Sequence, residues 1–302
     1  MFDPIIILGV PRSGTTLLRV LLDCHSKIAA ASETPWIVGG YASVSLRELL
    51  ELLTDHRHGP VANSPGISRE LIYESAREFL GKLFDAYALN KGKQFVVLKT
   101  PDDVENLDFL LELFPNSKYI HICRDGRDVA CSTVAKRDRL GHIRGFGELS
   151  VVNAMRRWCQ WESSIRSAFS GGLDASRIFV TYEQLVGNTP KTLRQICGFL
   201  GVDYEIKMVD YKSTEHDLPD WEAGSTDVNH KANVDTSSVG RWKLDLEPSE
   251  MVMIDTEFGD DLVRLGYRSC RQELEMDGVS LPRSSGRLAS SVYRLSRFFR
   301  KP

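Results

Sequence analysis

Gly9-Val10-Pro11-Arg12-Ser13-Gly14-Thr15-Thr16 decides how this chain is read. The apolar run Pro4-Ile5-Ile6-Ile7-Leu8 precedes it and the helical stretch Leu17 to Cys24 follows, so the segment reads as strand, glycine-bounded loop and helix N-terminus. Gly9 and Gly14 stand at the spacing of a phosphate-binding loop, in which backbone N–H groups and a helix dipole converge on an oxyanion. Thr15 follows Gly14 where a nucleoside triphosphatase carries the Lys that meets its β- and γ-phosphates. That replacement argues against metal-assisted polyphosphate chemistry, and Arg12 supplies a cation from inside the loop instead. The ligand that fits is a phosphate-like group bound without a metal.

Outward from the loop, three more strand-like segments (Phe95 to Leu98, Lys118 to Cys123, Arg177 to Thr181) alternate with helical ones. The alternation predicts an α/β fold, a central parallel sheet flanked by helices, with ligands beyond the carboxyl ends of the strands. At 302 residues, 42% of them hydrophobic, the chain can bury one full core. Residues 1–280 are expected to form a single domain. It carries a helical insertion over about residues 40–92, broken by His56-Arg57-His58-Gly59-Pro60 and walling the substrate cleft, and a polar lid loop over about 213–239. Trp158 and Trp161 form a core-facing stripe on a helix from Leu149 to Phe169, and Pro190 and Gly201 bound another.

The six cysteines are scattered without a CxxC pair and read as reduced core thiols. No secretory signal or membrane-length apolar run is evident, so the expected location is cytoplasmic. The net charge of −3 hides a basic tail, residues 281–302, where Arg283, Arg287, Arg294, Arg297, Arg300 and Lys301 surround Leu288, Val292, Leu295 and Phe299. That pattern suits peripheral contact with a membrane or acidic partner, or a helix docked on its own domain. No nucleic-acid partner is expected. No His, Cys and Asp cluster has metal-ligand spacing, so no metal is expected.

Arg124 ends a strand and Ser132 follows two helical turns later, an arrangement able to grip a second phosphate and so suited to a nucleoside bisphosphate. Asp125 and Arg127 read as a turn-stabilising pair.

With the loop Pro11-Arg12-Ser13-Gly14-Thr15-Thr16 and the Arg124–Ser132 pair, the chain resembles the sulfotransferases that use 3′-phosphoadenosine 5′-phosphosulfate (PAPS) as donor. The resemblance implies their P-loop-like fold, PAPS as co-substrate, and Arg12, Ser13, Gly14, Thr15 and Thr16 around the 5′-phosphosulfate. It also implies Arg124 and Ser132 at the 3′-phosphate, with Lys136 spaced as a further basic contact in tyrosylprotein sulfotransferases. Gly240-Arg241-Trp242 resembles the family's late motif, which offers Arg241 to the 3′-phosphate and Trp242 to the adenine, or else a basic-aromatic surface turn. Tyr182 matches a nucleotide-contacting Tyr, with a Tyr packed at a strand end as the alternative.

Transfer requires a base for the acceptor's proton and a cation for the leaving oxygen. Glu33 stands from Arg12 at the distance of the catalytic Glu of tyrosylprotein sulfotransferases, and Lys99 matches the family Lys at the bridging oxygen, where Arg12 and the loop amides are expected to share the charge. A turn-capping role is the alternative for Glu33, and Asp102 and Asp103 are the alternative bases. The acceptor is expected to carry a hydroxyl, less readily an amine, on a small molecule, lipid or carbohydrate rather than a protein tyrosine. Two rivals stay open, a P-loop kinase or hydrolase and a non-catalytic nucleotide-binding module at a membrane.

Overall fold

The computed structural model describes residues 3–39, 44–55, 64–140, 150–170, 173–213, 216 and 234–281. His56, His58, most of the expected lid loop and nearly all of the basic tail lie outside the described residues.

Five strands, β1 (Ile5–Leu8), β2 (Ile28–Ala30), β3 (Phe95–Leu98), β4 (Tyr119–Cys123) and β5 (Arg177–Thr181), form a parallel sheet in the order β2-β3-β1-β4-β5. Every residue of β1 and β4 is buried, as expected for strands covered on both faces. The sequence reading anticipated four of these strands and not β2. Ile-Ala-Ala is too short for a periodic signal and Ala is a poor strand former, so the strand exists through its pairing with Phe95–Val97.

The described helices in chain order are α1 (Thr15–Asp23), α2 (Pro35–Val38), α3 (Leu46–Thr54), α4 (Arg69–Asn90), α5 (Leu107–Leu113), α6 (Gly126–Leu140), α7 (Val151–Ala168), α8 (Tyr182–Gly187), α9 (Thr189–Leu200), α10 (Trp242–Asp245), α11 (Pro248–Arg264) and α12 (Cys270–Met276). None is long and apolar enough to cross a membrane.

The chain divides into two compact units. The first comprises Met1–Gly9, Gly14–Ile122 and Ile165–Val234 and holds the sheet up to Ile122. Its core packs Leu18, Leu21 and Leu22 of α1 and Leu193 and Ile196 of α9 against Ile5, Ile7, Val97 and Ile120. Asn188 caps α9, accepting from the Lys191 N–H at 3.2 Å, and Gly201 ends it with φ of 80°. The second unit comprises Val10–Ser13, Cys123–Ser164 and Asp235–Pro302. At its centre Trp158 is fully buried against Gly126, where an added Cβ would lie 2.4 Å from the indole ring. Trp158 and Trp161 are both core residues, as their spacing predicts.

All six cysteines are buried and none is in a disulfide. Burial pushes Cys197 and Cys270 up to about 11, so these thiols stay protonated.

β1 sits between β3 and β4, where the strand order reverses and α/β sheets take their ligands. The carboxyl ends of the strands lead directly to the residues singled out in the sequence. β1 runs into Gly9–Thr16, β2 reaches Glu33 three residues on, and β3, β4 and β5 are followed at once by Lys99, Arg124 and Tyr182.

Candidate active site

The loop after β1 is built on two glycines that nothing else can replace. A Cβ at Gly9 would stand 2.5 Å from the carbonyl oxygen of Ile122, and one at Gly14 would stand 2.5 Å from the Tyr182 ring. Gly14 also has φ of 91°, in the left-handed region. Tyr182 is thus buried against the loop's backbone. Arg12, at φ of 76°, is the one non-glycine residue with positive φ among the described residues, and such strain costs on the order of 1–3 kcal/mol and gathers at functional sites. Ser13 N–H closes the turn onto Val10 O at 3.0 Å, while the Ser13 hydroxyl is fully buried and has no hydrogen-bond partner. The helix that follows, nine residues long, has no side chain capping its N-terminus. A buried hydroxyl lacking a partner and an uncapped helix N-terminus are each suited to an anion.

In the first unit, Glu33 and Lys99 meet. The Lys99 ammonium donates to Glu33 Oε1, and the two side chains are 3% and 6% exposed, Lys99 the lower. The backbone beneath them is fixed by the sheet and by a hydroxyl pair. Ala31 N–H donates to Val97 O at 3.0 Å, and Thr34 N–H donates to Thr100 Oγ1 at 3.0 Å, with the two threonine hydroxyls 3.2 Å apart. Thr100 also forms a reciprocal capping box with Asp103 over the 3-10 turn Pro101–Asn106. Asp103 is therefore a buried cap, and the alternative base at that position serves the turn. The side chain of Asp102 lies outside the described residues.

In the second unit, Arg12, Arg124 and Ser132 come together. Arg12 Nε donates to Ser132 Oγ at 3.0 Å, and Arg124 Nη1 donates to the Arg12 carbonyl at 2.9 Å. Arg124 Nη2 donates to the carbonyl of Ser238, and the Asp128 carboxylate stands 3.9 Å away. Lys136 lies one turn beyond Ser132 on α6 and is half-buried. Arg127 grips Asp125 through two hydrogen bonds of 2.9 and 2.6 Å, the turn-stabilising pair read from the sequence.

The turn at Gly240 is tied down by Asp128, which the sequence reading passed over. Its two carboxylate oxygens accept from Gly240 N–H at 2.8 Å and Trp242 N–H at 2.9 Å. Burial and the neighbouring Asp125 raise its pKa, against the pull of Arg124 and the two backbone donors. Asp128 repeats the acid of Asp125 one helical turn into α6, but only the fold shows that it serves a segment 112 residues away. Trp242 departs from its expected role at the adenine. The ring is 1% exposed with the Arg127 guanidinium 3.9 Å above it, so no free face is left for a base. Arg241 is exposed and pairs with Asp245 at 2.8 Å.

Among the described residues, no group of three or more His, Cys, Asp or Glu side chains is arranged to hold a metal.

The first unit thus carries a buried carboxylate–ammonium pair at the ends of its strands, and the second carries an arginine-serine cluster. The sequence model of the sulfotransferase family matches residues 4–205, and the chain belongs to that family. Among curated relatives, it is 27% identical over 277 residues to protein-tyrosine sulfotransferase 1 of Danio rerio, covering 87% of this chain and 72% of the relative. It is 28% identical over 303 residues to the nodulation protein NoeE of Sinorhizobium fredii, covering 90% and 68%. Among solved structures, the sulfotransferase domain from the curacin biosynthetic pathway superposes with a TM-score of 0.64 at 22% identity, over 89% of this chain and 99% of that one. Mouse sulfotransferase SULT7A1 complexed with PAP, adenosine 3′,5′-bisphosphate, gives a TM-score of 0.53 at 16% identity, over 91% and 89%.

Proposed function

We propose that the protein transfers a sulfuryl group from PAPS to an acceptor hydroxyl, with Glu33 as general base. The observation that carries this reading is the contact of Glu33 with Lys99, since the two groups that the reaction needs, a base and a cation, meet in a buried position. Bound PAPS supplies an activated sulfur with a phosphate leaving group.

The chain's own residues do the rest. Arg12, Ser13, Gly14, Thr15 and Thr16 hold the 5′-phosphosulfate through the loop amides, the buried Ser13 hydroxyl and the Arg12 guanidinium. Arg124, Ser132 and Lys136 serve the 3′-phosphate, with Arg241 as a further basic contact, and the Asp128 anchor holds the Gly240 turn that carries it. Tyr182 shapes the loop from beneath. Glu33 takes the proton of the acceptor hydroxyl as its oxygen bonds to sulfur. Lys99 meets the charge that gathers on the oxygen leaving sulfur, so that PAP and a sulfate ester result. The replacement of the P-loop Lys by Thr15 supports binding that needs no metal.

A hydroxyl on a small molecule, lipid or carbohydrate is the first acceptor class. A tyrosine phenol is the second reading, favoured by the protein-tyrosine sulfotransferase relative. Incubation with sulfur-35-labelled PAPS and a panel of phenols, sterols, oligosaccharides, amines and tyrosine peptides tests both. Label on a hydroxyl acceptor, abolished by Glu33→Gln, is the expected result. Label confined to amines, or transfer that survives Glu33→Gln, overturns the assignment.

A further inference from the structure

A carboxylate that must accept a proton and a cation that must meet a leaving oxygen are, in this structure, bonded to each other. Lys99 and Glu33 sit at the ends of neighbouring strands, locked in register by Ala31–Val97 and by the Thr34–Thr100 hydroxyl bonds. Their backbones are therefore fixed, and only the four methylenes of Lys99 and the shorter stem of Glu33 can move. Stability alone is a poor reason for such a pair, because taking two charges out of water costs about as much as their attraction returns. Next to the pair in sequence, the Thr34 and Thr100 hydroxyls bond each other, and Asp103 accepts from the Thr100 N–H.

We propose that the pair is a catch on the reaction. Lys99 holds the Glu33 carboxylate. An anionic donor phosphate competes for the ammonium and, in taking it, releases the carboxylate to the acceptor hydroxyl. The consequence is an order of events in which donor precedes productive acceptor, and in which Glu33 weakens donor binding while serving the chemistry. This rests on the sulfuryl-transfer reading above.

The test is calorimetry with PAP, whose 5′-phosphate is the competing anion, on the full chain and on Glu33→Gln, Lys99→Met and the double variant, each shown folded by thermal unfolding. The expected result is that Glu33→Gln binds PAP roughly tenfold more tightly, the effect of removing one competing charged hydrogen bond. In the Lys99→Met background the same substitution should leave the affinity unchanged, because no ammonium is left to compete for. Unaltered or weaker PAP binding in Glu33→Gln overturns the catch. So does an equal gain with and without Lys99, which would mean a general field of the carboxylate rather than competition. Absence of PAP binding by the unsubstituted protein is a different outcome, since it overturns the donor reading itself.

Discussion

Lys99 and Arg124 each follow directly on a buried strand, yet they are partnered in opposite ways. Lys99 donates to a carboxylate. Arg124 donates to the carbonyl oxygens of Arg12 and Ser238, and its guanidinium stands 3.9 Å from the Asp128 carboxylate. Arg12 likewise donates to a hydroxyl. A carbonyl or hydroxyl orients a guanidinium without cancelling its attraction for a dianion, whereas a carboxylate must be outcompeted before the cation can serve a ligand. In the same cluster as Arg124, Arg127 shows the other extreme, held bidentately by Asp125 and buried under Trp242. Arg124 and Arg127, three residues apart, thus differ in what they bond, two backbone carbonyls for one and a bidentate carboxylate for the other.

The sharpest way to break this comparison is to set Arg127 against Arg124. Arg127→Met leaves Asp125 as an uncompensated charge in a buried turn and is expected to cost about 3–5 kcal/mol of stability in denaturant unfolding. Its folded fraction should bind PAP with near-unaltered affinity. Arg124→Ala is expected to lower PAP affinity about 30-fold, near 2 kcal/mol, while AMP, lacking the 3′-phosphate, loses much less. Equal losses for the two nucleotides would mean that Arg124 acts only by holding the Arg12 carbonyl.

His216 extends the rule to a titratable cation. Its Nδ1 faces Asp23 at 2.8 Å and its Nε2 faces the carbonyl of Tyr211 at 2.6 Å, and two acceptors require a proton on both ring nitrogens. Despite burial, the bonds to Asp23 and Tyr211 and a contact with Cys24 raise its pKa from 6.5 to about 9. Asp23, which also accepts from Lys93 at 2.9 Å and from the Ala30 N–H, is lowered from 3.8 to about 2 in spite of its own burial. A raised imidazole pKa stabilises the fold fully below pH 6.5 and is lost as pH rises through about 9; a lowered carboxylate pKa stabilises above pH 3.8 and is lost as pH falls through about 2. His216→Gln should thus be less stable than the parent near pH 6 by at most about 3 kcal/mol, with the difference gone well above pH 9. A gap that persists at high pH would show that packing, not charge, anchors His216. The smallest effect is expected for Ser132→Ala, about fivefold in PAP affinity, with unfolding scarcely shifted.

Much of the scaffold was legible because its signals are local. β1, β3, β4 and β5 are apolar runs, and Gly9, Arg12 and Gly14 act within one turn of chain. What stayed hidden was partnership at a distance. Glu33 and Lys99 are 66 residues apart and Asp128 and Gly240 are 112, and no spacing rule links them. Trp242 shows the limit from the other side. Its residue type suits a base, but the decision between stacking and core rests on Arg127, whose guanidinium covers the ring. β2 needed its neighbour to exist at all.

The central claim is a donor site built for a nucleoside bisphosphate. Calorimetric titration in EDTA with PAP, then with AMP, and separately with ATP and Mg²⁺, tests it most directly. The account predicts tight PAP binding without metal, much weaker AMP binding, and poor ATP binding; a preference for ATP with Mg²⁺, or equal affinity for PAP and AMP, would contradict it.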